Sequence, residues 1–170
     1  MKTNMNRKGI SNVVATIILI AVAIALAVAV AVWVFGLAGS AAKTATLQVQ
    51  AVSLTGVSSG SATLTLLVSN PSSSGIGING FTLGGLSCVF STPVQVPAGT
   101  QGEQITITIP VTSSGQFGTS ATATVGGSTS GTGVSASCSG SQAAQVGVQY
   151  SGYVTTVSGQ TYPFTVTASS

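Results

Sequence analysis

The chain lacks histidine and aspartate altogether, and Glu103 is its only acidic residue. Metal binding by imidazole or by paired carboxylates is therefore excluded. So is the carboxylate pair that glycoside hydrolysis needs. Serine is plentiful, but a serine nucleophile requires a base, and beyond the first nine residues the only candidate is Lys43. Gly84-Gly85 and Gly126-Gly127 are not followed by the Gly-Lys-Ser/Thr of a phosphate loop. The sequence predicts no enzyme, no cofactor and no metal. Charge is nearly absent too: Lys2, Arg7, Lys8, Lys43 and Glu103 are the whole set. Three of the four cations fall in the first eight residues, so the sequence pI of about 9.2 reflects the N-terminus and not a basic surface. No nucleic acid is expected as a partner.

Asn-x-Ser/Thr sequons are also missing, since Asn70 precedes Pro71 and Asn79 precedes Gly80-Phe81. Ser, Thr and Gly dominate residues 40–170. That composition suits O-linked glycosylation of an extracellular glycoprotein, and it equally suits plain neutral polar positions on strands and turns. A domain with so little net charge is poorly kept apart from its copies in solution. A permanent polymer, or a coat of sugar, resolves that difficulty.

What is present begins at the N-terminus. Arg7-Lys8-Gly9 closes a basic stretch, and from Val13 to Phe35 only Thr16 is polar. That run exceeds the roughly 20 residues a bilayer span needs and the roughly 7–15 of a secretory signal core. Lys2, Arg7 and Lys8 precede it and only Lys43 follows, which places the leader in the cytoplasm and the remainder outside. Trp33 and Phe35 fall where the helix would leave the outer leaflet. Between Ala21 and Val32, alanine alternates with a larger aliphatic residue. Both members are apolar and the run is too long for a strand, so the segment reads as a helix apolar on all sides. The small residues let neighbouring helices approach closely. A helix over 10–42 would be about 50 Å long.

Arg7-Lys8-Gly9-Ile10-Ser11 followed by Val13-Val14-Ala15-Thr16-Ile17-Ile18-Leu19-Ile20 resembles the class III signal peptide of archaeal type IV pilins and archaellins. The resemblance covers residues 7–35 specifically and the remainder only in layout. It implies a leader, residues 1–9, removed by a prepilin peptidase acting at Lys8, Gly9 and Ile10. It implies a helix over 10–42, membrane-bound at first, that becomes the core of a helical homopolymer through Val13, Val14, Ile17, Ile18, Ile20, Ile24, Leu26 and Trp33. An assembly ATPase and a membrane platform protein are the further partners. The precursor would lie in the cell membrane and the mature form in an extracellular surface filament, an adhesive pilus. Bacterial type IV pilins carry a glutamate at the fifth mature position, where this chain has Val14. The archaeal branch resembles this chain in lacking it, so subunit docking would rest on apolar packing.

Two other readings stand beside the pilin. An archaellin of the swimming filament shares the signal and layout, although Ser11-Asn12-Val13-Val14-Ala15-Thr16 resembles the adhesive pilins more closely. A helix-anchored surface binding domain that never polymerises would need aromatic residues on one exposed face, and Tyr150, Tyr153 and Tyr162 are the candidates.

After Lys43 the pattern changes to period two. Leu47, Val49 and Ala51 alternate with Gln48 and Gln50, Leu64, Leu66 and Val68 follow, and Ile105, Ile107 and Ile109 alternate with Thr106 and Thr108; later come Val146 and Val148 with Tyr150, and Tyr162, Phe164 and Val166. Turn formers at Ser58–Gly60, Asn70–Gly75, Pro97–Gly99 and Ser113–Gly115 separate the runs. The fold class expected is α+β: a long N-terminal hydrophobic helix, then an all-β head over 43–170 of immunoglobulin-like sandwich architecture. The stretch Gly126–Ser141 would be disordered by composition alone. It contains Cys138, and pairing with Cys88 would pin it to a strand over Leu86–Phe90. Closing a loop of that length is worth about 4 kcal/mol in the chain-entropy model.

Overall fold

The computed structural model describes residues 6–42, 46–126 and 133–170. The chain divides into two compact units, Met1–Lys43 and Thr44–Ser170. The first holds one helix, α1, Asn6–Ala42. The second is built of strands: β1 Gln48–Thr55, β2 Ser61–Ser69, β3 Ile76–Leu83, β4 Leu86–Val96, β5 Glu103–Pro110, β6 Ser120–Val125, β7 Val134–Gly140, β8 Gln149–Thr156 and β9 Thr161–Thr167. The expected α+β layout, a long apolar helix followed by an all-β head, is what the chain forms, and the head is a β sandwich or barrel.

The alternation that marks the strands is the alternation that fills the core. In β2, Ala62, Leu64, Leu66 and Val68 are buried while Thr63, Thr65 and Leu67 lie between them, half-exposed. Ile105, Ile107 and Ile109 do the same on β5, in register with Leu66, Leu64 and Ala62. These facing rows, joined by Ile78, Phe81, Leu83 and Leu86, form one hydrophobic core.

One ladder runs through all the described strands in the order β1-β2-β5-β6-β7-β4-β3-β8-β9, every pair antiparallel. With an odd number of antiparallel strands, the two outermost must point the same way. If they meet, they must meet in parallel, and they do: Leu54 on β1 bridges Ala168 just after β9, and Ser169 N–H donates to the Leu54 carbonyl at 2.9 Å. Further along, the Tyr162 hydroxyl takes the place of the backbone partner and accepts from Leu47 N–H at 3.1 Å. Sheet edges are sites of unwanted pairing, and this contact covers them with the chain's own termini of the sheet.

Besides β7 to β8, two connections, β2 to β3 and β4 to β5, cross between distant positions in the ladder. Asn70 ties them together. It is 0% exposed, and its side-chain amide donates to the carbonyls of Ser74, Val96 and Pro97 at 2.9, 3.1 and 3.2 Å. Its Oδ1 accepts from Ser72 N–H and from the Ser72 hydroxyl. Its own N–H donates to the Thr100 carbonyl at 2.8 Å. A buried amide satisfied on both atoms fixes geometry as well as supplying stability.

Two strand expectations are corrected. Residues 134–140, read as part of a disordered stretch, form β7 between β6 and β4. Only Ala136 of this strand is deeply buried. The disulfide Cys88–Cys138 compensates, joining paired positions of β4 and β7 with Cα atoms 4.0 Å apart. Residues 127–132 of that stretch lie outside the described residues. Val146 and Val148, read as a strand, lie in an exposed turn before β8. Gly147 at φ 83° turns the chain there, and its N–H donates to Ala168.

Candidate functional site: the apolar helix and the leader junction

The helix of the first unit is the site that the composition singles out. Gly9–Leu37 is long and apolar enough to cross a membrane, with a mean hydropathy of 3.2. At 1.5 Å per residue, the 37 residues of α1 extend about 55 Å. Ile10, Val13, Val14, Ile17, Ile18, Ile20, Ile24, Leu26 and Trp33 are all exposed, Trp33 at 68%. None of this span is buried within the chain.

No single face of α1 is apolar, because all faces are. At 3.6 residues per turn, alanines spaced by two fall on every side in succession, and so do the larger residues between them. A helix with no polar face cannot lie on a globular core and present its other side to water. Its only polar side chain between Val13 and Phe35 is already satisfied: the Thr16 hydroxyl donates to the Asn12 carbonyl at 2.8 Å. Apart from the Trp33 indole N–H near its far end, nothing along that span therefore seeks a polar partner, and what covers the rest must be apolar.

Gly9–Ile10, the expected leader junction, lies near the start of this helix. α1 begins at Asn6, four residues before the expected start, so the Gly9–Ile10 bond lies within its first turns. Glycine costs about 1 kcal/mol against alanine in a helix interior. There is no acid in the first turn, and positive charge from Arg7 and Lys8 is unfavourable at a helix N-terminus. The peptide bond at Gly9 thus lies in a weakly favoured first stretch of α1. Lys43, the one cation that follows the span, lies outside the described residues.

In the head, Cys88 and Cys138 form the expected disulfide. The three tyrosines do not share an exposed face. Tyr150 is buried, packs edge-on against Phe117 at 5.7 Å, and donates its hydroxyl to the Ala143 carbonyl at 2.6 Å while accepting from Gln145 N–H. Tyr162 is half-buried at the β1–β9 seam. Only Tyr153 is exposed. Period two explains this: Tyr150 and Tyr153 are an odd number of residues apart on β8 and so face opposite sides of the sheet. The Asn70 tie was legible in sequence only as an Asn-Pro turn signal, which carries no hint of burial.

No protein-family model matches the chain, and no curated protein matches it in sequence. A single N-terminal apolar helix of this kind fits a membrane anchor or a signal sequence joined to the β head.

Proposed function

We propose that this chain is a structural subunit, the major pilin of an archaeal type IV adhesive pilus, and has no enzymatic role. The observation that carries the reading is α1: apolar on every side along its span, with its one mid-span hydroxyl bonded internally, and carrying Lys8-Gly9-Ile10-Ser11 in its first turns. Such a helix is equally at home among lipid tails and among copies of itself, because neither environment asks for a polar contact. Transfer from one to the other exchanges apolar surroundings for apolar surroundings. The alanines allow close approach once lipid is withdrawn.

In this reading a prepilin peptidase cuts after Gly9 on the cytoplasmic side and removes the leader with its cations. An assembly ATPase and a membrane platform protein drive α1 from the bilayer into a helical homopolymer, with the heads on its outer wall. Removing residues 1–9 leaves Lys43 and Glu103 as the only charged side chains, so neighbouring subunits do not repel.

The test is N-terminal peptide mass spectrometry on filaments sheared from the cell surface. A peptide beginning at Ile10 in that fraction is the expected result. Recovery of the protein only from membranes, still beginning near Met1, would leave a helix-anchored surface domain. Loss of swimming on deletion, with attachment intact, would favour an archaellin.

A further inference from the structure

The outer surface of β3 is a trough. Along this strand Gly77 and Gly80 stand where the neighbouring strands carry side chains, and Gly75 and Gly84 flank its ends. The rims rise from β4, with Val89 and Pro93, and from β8 and the turn after it, with Tyr153 and Val157. Three clefts follow one another along the strand. One of about 440 Å³ lies over Gly75–Gly77, one of about 110 Å³ over Asn79–Thr82, and one of about 280 Å³ beside Thr82 and Gly84. From Gly75 to Gly84 the trough is about 30 Å long at 3.3 Å per residue. Side chains cannot fill its floor: a Cβ on Gly80 would lie 2.4 Å from the Cys88 carbonyl oxygen, and one on Gly77 would lie 2.9 Å from Val157. Glycine inside a strand marks a bulge or a close approach, and β3 has its bulge between Ile78 and Gly80.

The lining limits what can occupy it. No charged side chain borders any of the three clefts, so phosphates, acidic peptides and nucleic acid find nothing to pair with. β3 is hydrogen-bonded to β4 on one side and to β8 on the other, so it offers no free edge on which a peptide could add a strand. A purely apolar ligand is disfavoured by the polar heads of Asn79, Ser87, Gln95 and Thr155, none of which has a side-chain hydrogen bond among the described residues. What remains is an uncharged molecule with both apolar and hydroxyl faces. Tyr153, 44% exposed, supplies a ring to two adjoining clefts. Its backbone N–H donates to the Thr82 hydroxyl at 3.0 Å, fixing the ring's base, and its phenol has no hydrogen-bond partner among the described residues.

The geometry points to a binding site for a neutral, linear oligosaccharide lying along β3, with the Tyr153 ring against the C–H face of one sugar and Asn79, Thr155 and Gln95 bonding its hydroxyls. The site belongs to the head alone and does not depend on polymerisation.

The experiment is calorimetric titration of the full-length chain in detergent micelles with three probes: the hexasaccharides of β-1,4-glucose, β-1,4-N-acetylglucosamine and α-1,4-glucose. At least one binds, Tyr153→Ala weakens it about tenfold, and Tyr153→Trp, which keeps a ring, restores binding. Gln95→Ala weakens the hexasaccharide but leaves the corresponding disaccharide unchanged, because Gln95 lies in a different cleft from Tyr153. An unchanged melting temperature shows that the variants fold. Failure of all three probes to bind the unmodified chain, or equal binding by Tyr153→Ala, overturns the proposal.

Discussion

α1 and the β head answer the same problem, the removal of apolar surface from water, in opposite ways. The head solves it internally. Its strands put apolar residues on one side and Thr, Ser and Gln on the other, its ladder meets itself between β1 and β9, and every buried polar side-chain atom among the described residues has a partner. α1 does not solve it at all: from Ile10 to Leu37 its large apolar residues remain exposed. The head is complete as a single copy and the helix is not. Changes in the head should therefore alter stability, whereas changes in α1 should alter where the protein resides and what it joins.

The sharpest way to break the head is through its least self-sufficient strand. Replacing Cys88 and Cys138 by Ser should cost about 4 kcal/mol, read as a lower denaturation midpoint, because β7 brings little apolar burial of its own. Membrane association through α1 should be unaffected. Leu26→Arg tests the other side of the comparison. A charge at the centre of a span costs about 3 kcal/mol, so the membrane-bound fraction should fall while the denaturation midpoint of the head stays where it was. Asn70→Ala should destabilise the head by about 2 kcal/mol, since it removes the buried amide's bonds to the Ser74, Val96 and Pro97 carbonyls and to the Ser72 N–H. Thr16→Val should be almost silent, within about 0.5 kcal/mol in membrane partition, because that hydroxyl is bonded inside the helix. A large effect there would mean that Thr16 serves another copy.

Much of this division was legible in the sequence, for a physical reason. An all-apolar run and a period-two alternation are both statements about which side chains must leave water, and both are written residue by residue. Leu64, Leu66, Ile105 and Ile107 went where the alternation placed them. The exceptions are elements whose position depends on distant partners. β7 is too rich in Ser and Gly to announce itself, and it is a strand because β6, β4 and a disulfide hold it from both sides. Val146 and Val148 alternate like a strand, but Gly147, at positive φ and bonded to Ala168, turns them outward before β8 begins. Tyr153 and Tyr150 look alike in sequence, and only the phase of β8 separates a core tyrosine from a surface one. The trough on β3 is still less visible, since it arises from glycines whose significance is the height of the side chains on two other strands.

The most direct test of the account is photocrosslinking from a diazirine-bearing residue at Leu26, read separately in the membrane fraction and in sheared surface filaments. The account predicts crosslinks to lipid in the first and to α1 of other copies in the second. Crosslinks to lipid alone, with no α1-to-α1 product in any surface fraction, would contradict it.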